Sequence, residues 1–136
     1  MKLIVYTDGG SRGNPGPGAI GIVVKNVQGK TIKEIGKFIG KSTNNEAEYK
    51  AVIEALKLIS DKKSEDKADQ IDFFIDSLLV VNQLNGDFRV KDKKIKIFWN
   101  EVKNLERNFK KIIYTHIPRT KNYEADRVVN EVLDSL

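Results

Sequence analysis

Four acidic residues of this chain stand where a folded protein usually places apolar ones. Asp8 closes the run Leu3-Ile4-Val5-Tyr6-Thr7, and Asp76 closes Phe73-Phe74-Ile75. A short acid at a strand end can simply start a turn, so either alone also has a structural explanation. Glu48 says more, because Glu46 acts as its control. Thr43-Asn44-Asn45-Glu46 fits a capping box, with Thr43 as N-cap and Glu46 at the third helical position. Glu46 also stands four residues before Lys50, a favourable surface pair. Glu48 instead lines up with Val52, Ala55 and Ile59, where a carboxylate is costly unless it is paired or bound to a metal. Asp126 likewise aligns with Val129, Leu133 and Leu136, while Glu124, Arg127, Glu131 and Asp134 share a polar face.

If these four acids meet, their like charges repel and raise each other's pKa. A divalent cation resolves the repulsion, since hard cations take carboxylate oxygens and Mg2+ keeps sites for water and phosphate. Two such ions ~4 Å apart suit in-line displacement at phosphorus, one activating water and the other stabilising the departing oxygen. The residue types alone leave open whether the acids meet.

The elements that must position them can be read along the chain. Lys2–Asp8 is an apolar run too short for a helix and rich in strand formers. Gly9–Gly18 reads as a glycine-rich loop. Ala19–Val27 and Lys30–Gly40 read as strands joined by a turn at Gln28-Gly29, so three antiparallel strands open the chain. A helix at Asn44–Ser60 carries Ala47, Ala51, Ala55 and Leu58 on one face, with Val52, Ile53, Leu56 and Ile59 widening the apolar stripe. A charged loop at Asp61–Asp69 leads to a buried strand at Gln70–Ile75. Ser77–Leu84 reads as a short helix capped by Ser77 and stopped near Gly86. After a connection at Asp87–Asp92 come a helix at Lys93–Asn108, a strand at Ile112–His116 and a last helix at Asn122–Leu136. The order β β β α β α α β α predicts an α/β fold: a five-stranded mixed sheet, its first three strands antiparallel, flanked by helices. The length of 136 residues predicts a single domain over 1–136.

Composition removes several chemistries. There is no cysteine, hence no disulfide, thiolate metal site or thiol nucleophile, and one histidine cannot build a multi-histidine zinc site. The glycine loop feeds a strand where a phosphate loop needs a helix N-terminus. The first residues do not resemble a signal peptide, and no run approaches the ~20 apolar residues of a membrane span. A soluble cytoplasmic protein without a membrane partner is the expectation. The net charge is +5, and Arg89–Lys111 alone holds nine Lys/Arg against three Asp/Glu. Phe98 and Trp99 sit among those lysines, a pattern that suits a nucleic-acid backbone. A solvated helix whose aromatics point into the core gives the same pattern.

These residues resemble type 1 ribonuclease H over nearly the whole chain. The markers are Thr7-Asp8-Gly9-Gly10, Asn14-Pro15-Gly16-Pro17-Gly18, Thr43-Asn44-Asn45-Glu46-Ala47-Glu48, Ile75-Asp76-Ser77, and His116 followed by Asn122-Tyr123-Glu124-Ala125-Asp126. Their spacing is most similar to the compact bacterial and archaeal members. The resemblance implies a ribonuclease H fold and a monomeric endonuclease that hydrolyses the RNA strand of an RNA/DNA hybrid. It implies two Mg2+ ions, with Mn2+ as a substitute, and 5′-phosphate and 3′-hydroxyl ends. It assigns metal binding and catalysis to Asp8, Glu48, Asp76 and Asp126, and proton handling or product release to His116, which a strand-end structural role would also explain. Asn44 and Asn45 match positions that read the RNA strand, where the 2′-OH distinguishes RNA from DNA. Thr43 and Lys41 resemble part of a DNA-phosphate pocket, though Thr43 also caps a helix. Asn14 matches a substrate-backbone contact or a turn residue. Two features depart from some relatives. Leu84 to Lys93 is too short for an extra basic helix, so weaker hybrid binding that falls more steeply with salt, and dependence on a partner domain, are expected; the absence of an N-terminal hybrid-binding module is the second expectation. A nucleic-acid-binding module with weak catalysis, and a nuclease of the same fold acting on double-stranded RNA, stay open as other readings.

Overall fold

The computed structural model describes residues 1–60 and 69–136. The charged loop expected at Asp61–Asp69 lies outside the described residues except for Asp69. Among those described, five strands form one sheet: β1 (Lys2–Ser11), β2 (Gly16–Lys25), β3 (Thr31–Ser42), β4 (Gln70–Ile75) and β5 (Lys111–His116). Their order is β3-β2-β1-β4-β5. The first three strands pair antiparallel, and β4 and β5 add to β1 in parallel. Four α-helices among the described residues, α1 (Asn44–Ser60), α2 (Leu78–Leu84), α3 (Lys93–Glu106) and α4 (Tyr123–Asp134), cover the sheet. This is the mixed, helix-flanked sheet expected.

Alternation sorts the strands onto two faces. Leu3, Val5, Ile71, Phe73 and Ile75 are buried in one cluster with Val52, Ala55, Leu56 and Ile59 of α1 and Val102 of α3. On the other face, α4 seats Ala125, Val128, Val129 and Leu133 against Ala19 and Val23. Gly21 makes that seating possible, because a Cβ there would lie 2.4 Å from the Ala125 carbonyl oxygen.

Two expectations change, and one left open is decided. The loop expected at Gly9–Gly18 is mostly strand: Gly9, Gly10 and Ser11 pair with Ile20, Ala19 and Gly18, which leaves only Arg12–Pro15 between β1 and β2. Glycine marks close approach here as well as a turn. The surface pair expected between Glu46 and Lys50 gives way to a 2.5 Å ion pair from Glu46 to Lys94 of α3, because α3 docks beside the start of α1. Phe98 and Trp99 pack at the core edge, and the Trp99 Nε1–H donates to the Gln83 carbonyl at 3.1 Å. Those aromatics therefore serve packing, as a solvated helix with an inward face would have them. Ser77 caps α2, as expected, by accepting from the Val80 N–H.

Candidate active site

Parallel pairing brings the first two acids together. Thr7 pairs with Ile75, so Asp8 and Asp76 are the next residues on adjacent strands, which lie about 4.8 Å apart. Glu48 comes from the first turns of α1. Gly9 lets it approach: a Cβ on Gly9 would fall 2.3 Å from the Ala47 carbonyl carbon and oxygen and 2.5 Å from the Glu48 nitrogen. The start of α1 is fixed by the expected capping box, in which Thr43 N–H donates to Glu46 Oε1 (3.0 Å) and Glu46 N–H to Thr43 Oγ1 (3.2 Å). As a result, one carboxylate oxygen each from Asp8, Glu48 and Asp76 all lie within 4.8 Å of one another.

Asp126 lines the same cleft, of about 290 Å³, but stands outside that trio. It sits at the margin of α4's apolar face, partly exposed, with Arg119 at 3.6 Å and Asn130 Nδ2 at 3.3 Å. His116 ends β5 beside Ile75, and its side chain is exposed and does not line the acidic cleft.

The electrostatics follow from burial. Burial, reinforced by the charge of Asp76, pushes the Asp8 carboxyl from 3.8 up to about 7. Glu48 is driven well above the ordinary carboxylate range, first by burial and then by Asp8 and Asp76. Its Oε2 is buried without a hydrogen-bond partner among the described residues. An orphaned buried carboxylate oxygen beside two other acids fits a hard divalent cation, with oxygen donors only and neither thiolate nor imidazole in the trio.

A larger groove of about 1130 Å³ adjoins the cleft, and Asn44 lines both. Asn14, Lys41, Thr43 and Asn45 line the groove too, so all five residues expected to meet a substrate converge. Two of them also hold the site together. Asn14 Oδ1 accepts from the Asn44 N–H at 2.9 Å, and Asn44 Oδ1 accepts from the Ser11 N–H at 3.0 Å. Arg89, Lys91 and Lys94 form the facing wall. Only this first part of the basic Arg89–Lys111 segment lines the groove.

Sequence reasoning missed Arg119 and Asn122. Asn122 is 1% exposed and donates from Nδ2 to the Thr7 carbonyl and to Asp76 Oδ2, each at 2.9 Å. An Asn just before a helix reads as a cap, and no local signal says that it reaches a strand end instead.

Sheet order and the carboxylate cluster at the carboxyl ends of two parallel strands define the ribonuclease H-like class of α/β proteins. Residues 6–132 match the family described as reverse transcriptase-like. The chain is 40% identical to ribonuclease HI of Halobacterium salinarum over 98% of its own length and 65% of that protein. The crystal structure of RNase H1 from that archaeon covers 100% of both chains with a TM-score of 0.93 and 38% identity. A crystal structure of LC11-RNase H1 in complex with an RNA/DNA hybrid matches with a TM-score of 0.92 and 37% identity, over 98% of this chain and 97% of that one. A bifunctional protein of Mycobacterium tuberculosis is 37% identical over 99% of this chain, which spans only 36% of that protein. The chain belongs to the ribonuclease H family.

Proposed function

We propose that this chain is a metal-dependent endoribonuclease acting on the RNA strand of RNA/DNA hybrids as a single catalytic domain and a monomer. The observation that carries the reading is the trio Asp8, Glu48 and Asp76, with its orphaned Glu48 oxygen, opening directly onto a polar and basic groove. The family membership and the hybrid bound by LC11-RNase H1 support the substrate class.

Asp8, Glu48 and Asp76, joined by Asp126 from the cleft margin, would hold Mg2+, or Mn2+ in its place. When bound, two such ions would supply a nucleophile from water and stabilise charge at the departing oxygen. The protein's own residues do the rest. Lys41, Arg89 and Lys91 meet phosphates as point or forked charges, and Thr43 offers a hydroxyl beside Lys41. Asn44 and Asn45 are exposed on the groove and present amides to the 2′-OH of the RNA strand. Asn14 acts mainly by holding Asn44 in place. His116, exposed one strand away from Asp76, handles a proton of the leaving group or assists release. Breaking the bond to the 3′ oxygen leaves a 5′-phosphate and a 3′-hydroxyl. No helix among the described residues is long and apolar enough to cross a membrane, and a cytoplasmic site of action fits the substrate.

The test is cleavage of labelled RNA/DNA hybrid beside double-stranded RNA and double-stranded DNA, by wild type and Asp8→Asn, with Mg2+, Mn2+ or chelator. Metal-dependent cutting of the hybrid's RNA strand, absent in Asp8→Asn, is expected. Cutting of double-stranded RNA alone would keep the acidic site and change the substrate. Hybrid binding without cleavage in either metal would leave a binding module.

A further inference from the structure

Asn122 is a buried amide whose bonding is unusual for its place in the chain. It immediately precedes α4, where an Asn side chain ordinarily accepts from a backbone N–H of the first helical turn. Here it makes no such cap. Both hydrogens of its NH2 group go elsewhere, to the Thr7 carbonyl and to Asp76 Oδ2. Its own Oδ1 is buried with no hydrogen-bond partner among the described residues. Rotating the amide would turn that oxygen toward two acceptors, so the Thr7 carbonyl and the Asp76 carboxylate fix its orientation and the carbonyl is left unsatisfied.

The backbone of the same residue extends the connection. Asn122 N–H donates to the Arg119 carbonyl at 3.0 Å, and the Asn122 carbonyl accepts from the Asp126 N–H at 3.1 Å. One residue thus ties β1 at Thr7, just before Asp8, the carboxylate of Asp76, and the turn that carries Asp126. A lysine or arginine would make similar bonds but would cancel charge that a cation needs. An amide holds the carboxylate plane and adds no charge.

We propose that Asn122 is a positioning residue for the metal site: it orients the Asp76 carboxylate, pins it to β1 beside Asp8, and so sets the affinity for a divalent cation. The inference rests on the metal-dependent reading above. Partners of this kind typically contribute about 10- to 100-fold to metal affinity.

The test titrates Mn2+ alone, without nucleic acid, into wild type, Asn122→Ala and Asn85→Ala, following free Mn2+ by electron paramagnetic resonance and recording each melting temperature. Asn85 supplies the comparison, because its Nδ2 also donates to a backbone carbonyl, that of Tyr114 at 3.2 Å, away from the cleft. Asn122→Ala is expected to bind Mn2+ about 10- to 100-fold more weakly. The metal concentration for half-maximal cleavage should rise by the same factor, with hybrid affinity in chelator unchanged. Asn85→Ala should lower the melting temperature and leave the Mn2+ titration in place. Should Asn122→Ala fail to fold, Asn122→Ser, which keeps one donor, should show a smaller shift in the same direction. Wild-type Mn2+ affinity in the Asn122 variant, or an equal loss in Asn85→Ala, would overturn the proposal. A wild type that takes up no Mn2+ would refute the metal-site reading itself, and this inference with it.

Discussion

Asp8 is the residue where function and stability oppose each other most directly. Without a bound cation, burial and the neighbouring charge of Asp76 hold its carboxyl near 7, against 3.8 for an ordinary Asp. A pKa raised on folding stabilises the protein below the unfolded value and withdraws that support as pH climbs to the folded one. Stability attributable to Asp8 is therefore complete below about pH 4 and is lost between there and pH 7. The shift corresponds to on the order of 4 kcal/mol, and Glu48 shares in it because the two groups face each other. Asp8→Asn removes the ionisation. With chelator at pH 8 the variant should unfold at a higher temperature than wild type by calorimetry, and the gap should close toward pH 4. Mg2+ should raise the wild type far more than the variant, while cleavage is lost in the variant. A variant less stable than wild type at pH 8 in chelator would show that Asp8 is not a strained group.

At the scale of elements, the site depends on how closely β1 presses against the start of α1. Gly9→Ala would place a Cβ 2.3 Å from the Ala47 backbone, which cannot move without shifting α1 and Glu48 away from Asp8. Destabilisation of about 3 kcal/mol is expected in urea unfolding, with reduced cleavage in the folded fraction. Gly10→Ala is the matched control, since its Cβ would meet only Val129 Cγ1 at an ordinary 3.7 Å. It should cost less than about 1 kcal/mol. Equal effects at both positions would refute the close-approach reading. The same pair of glycines shows where sequence reasoning reached its limit. Period and capping are local, so the five strands, the Thr43–Glu46 box and the anomalous Glu48 were all legible. A glycine needed because a helix 38 residues later lies against it looks the same as a glycine in a turn, so Gly9–Gly18 reads as loop. Asn122 reads as a helix start for the same reason, since its partners Thr7 and Asp76 come from distant parts of the chain. Asp126 falls on the apolar face by period alone, while its partial exposure beside the buried Val128, Val129 and Leu133 depends on how α4 packs on the sheet.

Across the whole molecule, the question is whether the net charge of +5 or its placement draws nucleic acid to the groove. Lys94 faces the groove but is tied to Glu46, whereas Lys41, Arg89 and Lys91 make no ion pair among the described residues. Lys110 and Lys111 lie at the start of β5, the end of the sheet opposite Asp76. Arg89→Ala with Lys91→Ala, and Lys110→Ala with Lys111→Ala, each remove two positive charges, so long-range attraction falls equally in both. Counterion release depends on direct phosphate contacts, each worth about one unit in the slope of log K against log salt. Hybrid binding measured in chelator across a salt series should therefore lose a slope of about two in the groove pair and keep its wild-type slope in the distal pair. Specificity for hybrid over double-stranded DNA should survive in both, because both variants keep Asn44 and Asn45, the residues proposed to read the 2′-OH. Equal slopes in the two double variants would mean that the basic surface as a whole, and not the Arg89–Lys91 wall, holds the duplex.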